Sequence, residues 1–297
     1  MRKLLLAVLL AGIAVSAAAQ APMPAIVVRG EQMRQIMARA AADQAAMPNP
    51  NQHETIIAAP PYTLSLERRV GKAPAALHPA HAELLIVLDG AGTLTTGGTL
   101  EKPGTPTATN IPGSDVTGGT AQPIGKGDFI LVPENTPHII LPEGGVLQVA
   151  SMLIPHAPQP AGGRGGAPKL ITHAADLPAM IAKAKAAVPA SARFFGGDTL
   201  LSYGGIRAGL EYRSPKGIAS VHKNDGEFMY VITGAGNIPT GGTVTNPRDT
   251  GANIDGDDMV GAKDNLMKTG DFIFVPKNLP HKAVSDGEFV LMTLHVQ

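Results

Sequence analysis

The chain repeats itself, and that duplication constrains the fold more than any other feature. Sliding the sequence by 144 residues lays LERR (66–69) on LEYR (210–213), His78 on His222, Glu83 on Glu227 and Gly90 on Gly234. TGGTL at 96–100 falls on TGGTV at 240–244. After a one-residue slip, GDFILVPENTPH (127–138) lies on GDFIFVPKNLPH (270–281). The Pro/Gly-rich stretch PHAPQPAGGRGGAPK separates the copies and reads as a linker. This divides the chain into a leader (1–19), a first domain (20–154), a linker (155–170) and a second domain (171–297).

Each copy opens with a helix and continues in strands. Met33, Ile36, Met37 and Ala40 match Leu177, Met180, Ile181 and Ala184, one apolar face at helical spacing. Then come ELLIVLDG and EFMYVITG, DFILVP and DFIFVP, aliphatic or aromatic runs bounded by Gly, Pro, Asn and Asp. Strands apolar on both faces need one face inside a barrel and the other against a neighbouring sheet. The expected class is therefore all-β with a minor helix: two tandem β-barrels or jelly rolls, each preceded by a helix.

The leader MRKLLLAVLLAGIAVSAAAQ places Arg2 and Lys3 before an apolar run from Leu4 to Val15, followed by small residues. This is the pattern of a secretory signal peptide cleaved near Ala19, too short to span a bilayer, and it predicts a periplasmic or secreted protein without a membrane anchor. Removing it leaves 22 basic against 24 acidic residues. A near-neutral chain with 4% aromatics and no Trp lacks the basic stripe and stacking surface of a nucleic-acid binder. There is no cysteine, so an exported form draws its stability from its core or from bound metal rather than from disulfides.

Three polar positions recur in each copy: His78, Glu83, His138 and His222, Glu227, His281. Turn-capping histidines are the plain alternative, but a glutamate heading an apolar strand must meet a cation or point to water. Residues five apart on an unbroken strand face opposite sides, so His78 and Glu83 converge only if the chain bends between them. Pro79 in one copy and Asn224-Asp225-Gly226 in the other supply that bend. Glu227, Met229 and Val231 then share a face directed into the barrel.

The pattern resembles the cupin superfamily, with first motif H-x-H-x3-4-E-x6-G and second motif G-x5-P-x-G-x2-H. His78-x4-Glu83-x6-Gly90 and His222-x4-Glu227-x6-Gly234 fit the second histidine, acid and glycine of the first motif. Gly127, Pro133 and His138, with Gly270, Pro276 and His281, fit the second, so both halves match and the chain resembles a bicupin. Ala76 and Ser220 replace the motif's first histidine, and Asn135 and Asn278 replace its turn glycine. Asparagine tolerates the left-handed conformation such a turn needs. The resemblance implies a divalent metal held by two histidines and one carboxylate. Such a set suits non-haem iron(II) when three positions stay open and zinc when one bound water completes it. Iron, manganese, zinc, nickel and copper are not distinguished.

His81 lies beside the first triad but is matched by Asp225; a fourth ligand, a proton shuttle and a surface residue are all open to it. His53, His156, His173 and His295 have no repeated partner and read as structural. Glu67/Arg69 and Glu211/Arg213 stand at alternate strand positions, the spacing of same-face ion pairs. DTGANIDGDDM (249–259) lacks the calcium-loop pattern and reads as a solvated loop within a long connection that could cover the barrel mouth. The resemblance implies a metal enzyme acting on a small oxygen-bearing substrate, of dioxygenase, decarboxylase, isomerase or lyase type; a non-catalytic small-molecule or metal binder is the alternative. The duplication supplies an internal pseudo-dimer, compatible with a monomer or a homodimer.

Overall fold

Two antiparallel sheets with the same strand order carry the two halves. The computed structural model describes residues 23–156, 167–190 and 194–297; the expected leader and most of the linker lie outside them. In the first sheet the order is Ile171–Thr172, Phe129–Val132, His81–Thr96, His138–Pro155, Tyr62–Arg69, Asn51–Ala59. In the second it is Ile26–Val28, Phe272–Val275, Gly226–Asn237, Phe289–Val296, Ile206–Arg213, Phe195–Tyr203.

The first strand in each order comes from the other half of the chain. Ile26–Val28 pairs with Phe272–Val275, and Ile171–Thr172 pairs with Phe129–Val132. The linker thus divides the sequence copies, while the sheets exchange one strand across it. Each exchanged strand also covers an edge that would otherwise present unpaired backbone groups.

Long strands bend to close the barrels. His81–Thr96 and His138–Pro155 run 16 and 18 residues and pair with a register break between Glu143 and Gln148. Gly90 and Gly234, the motif glycines, sit at φ +81° and +84°. A Cβ there would lie 2.1 Å from Val146 O and 1.8 Å from Glu288 O, so both conformation and space demand glycine.

Period-two alternation sorts the apolar side chains. Leu85, Val87, Ile130, Val132, Leu147 and Val149 fill the first barrel, as Met229, Val231, Ile273, Val275, Phe289 and Leu291 fill the second. Leu84, Ile86 and Phe129 point the other way and join Phe228, Phe272, Phe274 and Met292 in one cluster between the sheets. The helices Gly30–Ala46 and Leu177–Ala187 add Met33, Ile36, Ala40, Leu177, Met180 and Ala184 to it. This accounts for strands apolar on both faces, each buried large side chain contributing about 1.5–3 kcal/mol. Among the described residues no helix is long and apolar enough to cross a membrane.

Candidate metal centres

The bend expected between histidine and acid is present in both halves. Ala75–Leu77 stops before His78, and a new strand starts at His81; Ala219–His222 stops at His222, and the next starts at Gly226. The returning turn locks onto this bend, as Asn135 N donates to His78 O (2.7 Å) and Asn278 N to His222 O (2.8 Å). Both asparagines are left-handed, at φ 54° and 64°, as their replacement of glycine predicts. His138 and His281 follow, opposite Ala76 and Ser220, where the motif's first histidine would stand.

All six side chains converge. His138 Nε2 is 3.0 Å and His78 Nε2 3.6 Å from Glu83 Oε2. In the second half His281 Nε2 is 2.9 Å and His222 Nε2 3.3 Å from Glu227 Oε2. Each triad is buried, with its donor atoms within 4.8 Å of one another.

Each imidazole is oriented through its other nitrogen. Nδ1 faces Thr109 O for His78 (2.7 Å), Thr136 O for His138 (3.0 Å), Asn253 Oδ1 for His222 (2.9 Å) and Leu279 O for His281 (3.1 Å). An Nδ1–H donated to oxygen leaves the Nε2 lone pair aimed at the carboxylate, an arrangement stable only around a cation. Protons can serve, and so can a metal. Metal–ligand bonds of roughly 2.1 Å place neighbouring donors about 3.0 Å apart at right angles and about 3.4 Å apart tetrahedrally, and the His–Glu separations of 2.9–3.6 Å bracket these values. The residues therefore fit a divalent ion.

Charge follows the same geometry. Burial pushes the Glu83 carboxyl up, but hydrogen bonds from His138 and His78 outweigh it and hold it well below the usual carboxylate range; His222 and His281 do the same for Glu227. His78 and His222 are raised: burial opposes their protonation, and their glutamates overcome it. His81 is lowered by burial and by the charge of His78.

The centres open into cavities of about 610 Å³ in the first half and about 410 Å³ in the second. The larger is lined by His78, Glu83 and His138, and also by His53, Arg69 and His81. His81 stands two residues before Glu83 on one strand, hence on the same face, and its buried Nδ1 has no hydrogen-bond partner. Arg69 is tied to Glu67 and Arg213 to Glu211, the expected same-face ion pairs.

Three supporting residues escaped the sequence reading. Ser151 Oγ donates to Glu83 Oε1 (2.6 Å) from the adjacent strand. Asn253 belongs to the segment read as a solvated loop, yet the strand Asn253–Gly256 pairs with Ala219–His222 and holds His222; Thr109, 144 residues earlier, holds His78 through a carbonyl. His295, read as structural, lies 3.7 Å from Glu227 Oε1. The structural reading fits His156 and His173, paired with Glu134 (2.7 Å) and Asp128 (3.0 Å).

No protein-family model matches this sequence, and no curated protein is similar enough to count as a relative. Solved structures are similar. Salicylate 1,2-dioxygenase from Pseudaminobacter salicylatoxidans superposes over 95% of this chain and 86% of its own, at TM-score 0.63 and 11% identity. The fold is that of a bicupin. The gentisate adduct of that dioxygenase matches at TM-score 0.59 and 11% identity, over 92% of this chain and 81% of its own. The Cupin 2 conserved barrel domain protein from Leptotrichia buccalis matches at TM-score 0.50 and 12% identity, over 83% and 88%.

Proposed function

We propose that this bicupin is a metal-dependent enzyme of dioxygenase type, working in the first-half cavity on a small oxygen-bearing organic substrate. The observation that carries this reading is a buried triad with only three protein donors, opening into about 610 Å³ of space. Two histidines and one carboxylate with open positions form the donor set associated with non-haem iron(II) oxygenases. A bound ion there would supply Lewis-acid polarisation and, if redox-active, dioxygen chemistry.

The chain's own residues define the rest of the site. His78 and His138 hold their rings fixed through Nδ1, and Ser151 fixes the carboxylate. His81 lines the same cavity from the Glu83 face of its strand, where its ring can contact a substrate hydroxyl or carboxylate. Arg69 presents a guanidinium already balanced by Glu67, so it shapes the wall rather than adding net charge. The fold neighbour's complex with gentisate supports a small phenolic acid as the first compounds to try. We also propose export to the periplasm or beyond, on the leader pattern.

Oxygen uptake by iron(II)-loaded protein across phenols, hydroxybenzoates, diketones and small carboxylic acids tests the proposal. Turnover that disappears in Glu83→Gln and persists in Glu227→Gln is the expected result. Metal and ligand binding without turnover on any member of the panel would favour the non-catalytic reading.

A further inference from the structure

The two halves secure their buried glutamates differently, and from this we infer that the second centre is a four-donor metal site with His295 as its additional ligand. The first keeps three protein donors and an open face. The inference rests on the metal reading above.

Strand register puts one position of each half directly across from its glutamate. Glu83 faces Leu153, and Glu227 faces His295. Two residue pairs inward, Ser151 Oγ bonds Glu83 Oε1 at 2.6 Å, so Oε1 is already engaged and Oε2 is the oxygen that meets both histidines. In the second half Thr293 holds the matching place, and Glu227 Oε1 instead meets His295 Nε2 at 3.7 Å. The His295 ring stands nearly perpendicular to that of His222, with centroids 4.5 Å apart.

A separation of 3.7 Å is too long for a hydrogen bond. It is close to the 3.6 Å between His78 Nε2 and Glu83 Oε2, a pair that one ion would bridge in the first half. His295 meets Glu227 Oε1 whereas His222 and His281 meet Oε2, so His295, its side chain 43% exposed and free to move, rotates toward the Oε2 side to share the ion. A fourth protein donor occupies a position that would otherwise take water or substrate, and closed four-donor sites hold structural metal. The smaller cavity of the second half, about 410 Å³, agrees with that division of labour.

The test uses the full chain, stripped with a chelator and reloaded with Co²⁺ alone. Glu83→Gln isolates the second centre and Glu227→Gln the first. Each ligating imidazole contributes one exchangeable, hyperfine-shifted N–H resonance, so the spectra count histidines. The expected counts are two in the first centre and three in the second. His295→Ala, or His295→Gln should the alanine variant fold poorly, removes one resonance and weakens Co²⁺ binding by about tenfold or more. Leu153→His adds a third resonance to the first centre. Two resonances in both centres overturn the inference, even if His295→Ala weakens binding, because His295 would then act only by orienting Glu227. A second centre that takes no Co²⁺ while the first does also overturns it and leaves the proposed function standing. Failure of both centres to take the ion sinks both proposals.

Discussion

Replacing Ser151 with alanine isolates one interaction on which the first centre depends. Ser151 is 6% exposed, and its hydroxyl donates at 2.6 Å to an oxygen of Glu83, itself 5% exposed. Because Glu83 is held well below the usual carboxylate range, the acceptor is ionised at neutral pH. A hydrogen bond to a charged group contributes about 1.5–3 kcal/mol, and its loss leaves a carboxylate oxygen buried without a donor. Unfolding of metal-free Ser151→Ala should therefore show a loss of about 2 kcal/mol, a fall of roughly 4–8 °C in Tm for a chain of this size. A freed carboxylate also holds the ion less well, and such supporting contacts are worth about 10–100-fold in metal affinity. The assay is urea and thermal unfolding of chelator-treated protein, together with calorimetric metal titration in the Glu227→Gln background. Unchanged stability and unchanged first-centre affinity would refute the claim that Ser151 secures Glu83.

Metal uptake should strengthen with pH, since His78 and His222 are raised and an ion must displace the protons they share with their glutamates. Affinity should climb up to about tenfold per pH unit for each proton displaced, and calorimetry in buffers of different ionisation enthalpy reads the release directly. The metal-free triads behave oppositely. The depressed glutamates add stability above the ordinary carboxylate pKa of about 4.3, and it fades as pH falls; the raised histidines add stability below about 6.5, and it fades as pH rises through their folded values, so equilibrium unfolding should place the largest triad contribution between these limits. Asn253→Ala removes the Nδ1 partner of His222 and should lower second-centre affinity about 10–100-fold while leaving the first within about twofold, as read by metal titration of each centre. Truncation to Arg29 deletes the exchanged strand Ile26–Val28, including buried Val28; unfolding should show a loss of at least about 2 kcal/mol, and urea should release metal from the second centre first.

Much of this was legible because duplication acts as an internal control. Residues that recur between the copies share one environment, which singled out the triads, the left-handed asparagines and the positive-φ glycines. Alternation in ELLIVLDG placed Leu84 and Ile86 between the sheets and Leu85 and Val87 in the barrel. What stayed hidden lies where the copies differ or where a partner arrives from a distant strand. Ser151 and His295 act through register across neighbouring strands, and that register follows irregularities at Glu143–Gln148 in the first half and Val231–Thr233 in the second, which no local composition announces. Thr109 supports His78 through its backbone, so its side-chain identity carries no signal. The strand exchange was equally silent, because a three-residue strand such as Ile26–Val28 carries too little pattern to name its partner.

Anomalous diffraction from crystals of the protein loaded with Zn²⁺ or Co²⁺ addresses the paired metal centres most directly. The structure predicts two strong peaks per chain, one roughly 2.0–2.3 Å from His78 Nε2, His138 Nε2 and a Glu83 oxygen, and the other equally close to His222, His281 and Glu227. Peaks elsewhere, or loaded crystals in which the histidines keep their direct contacts with the glutamates and no ion lies between them, would contradict it.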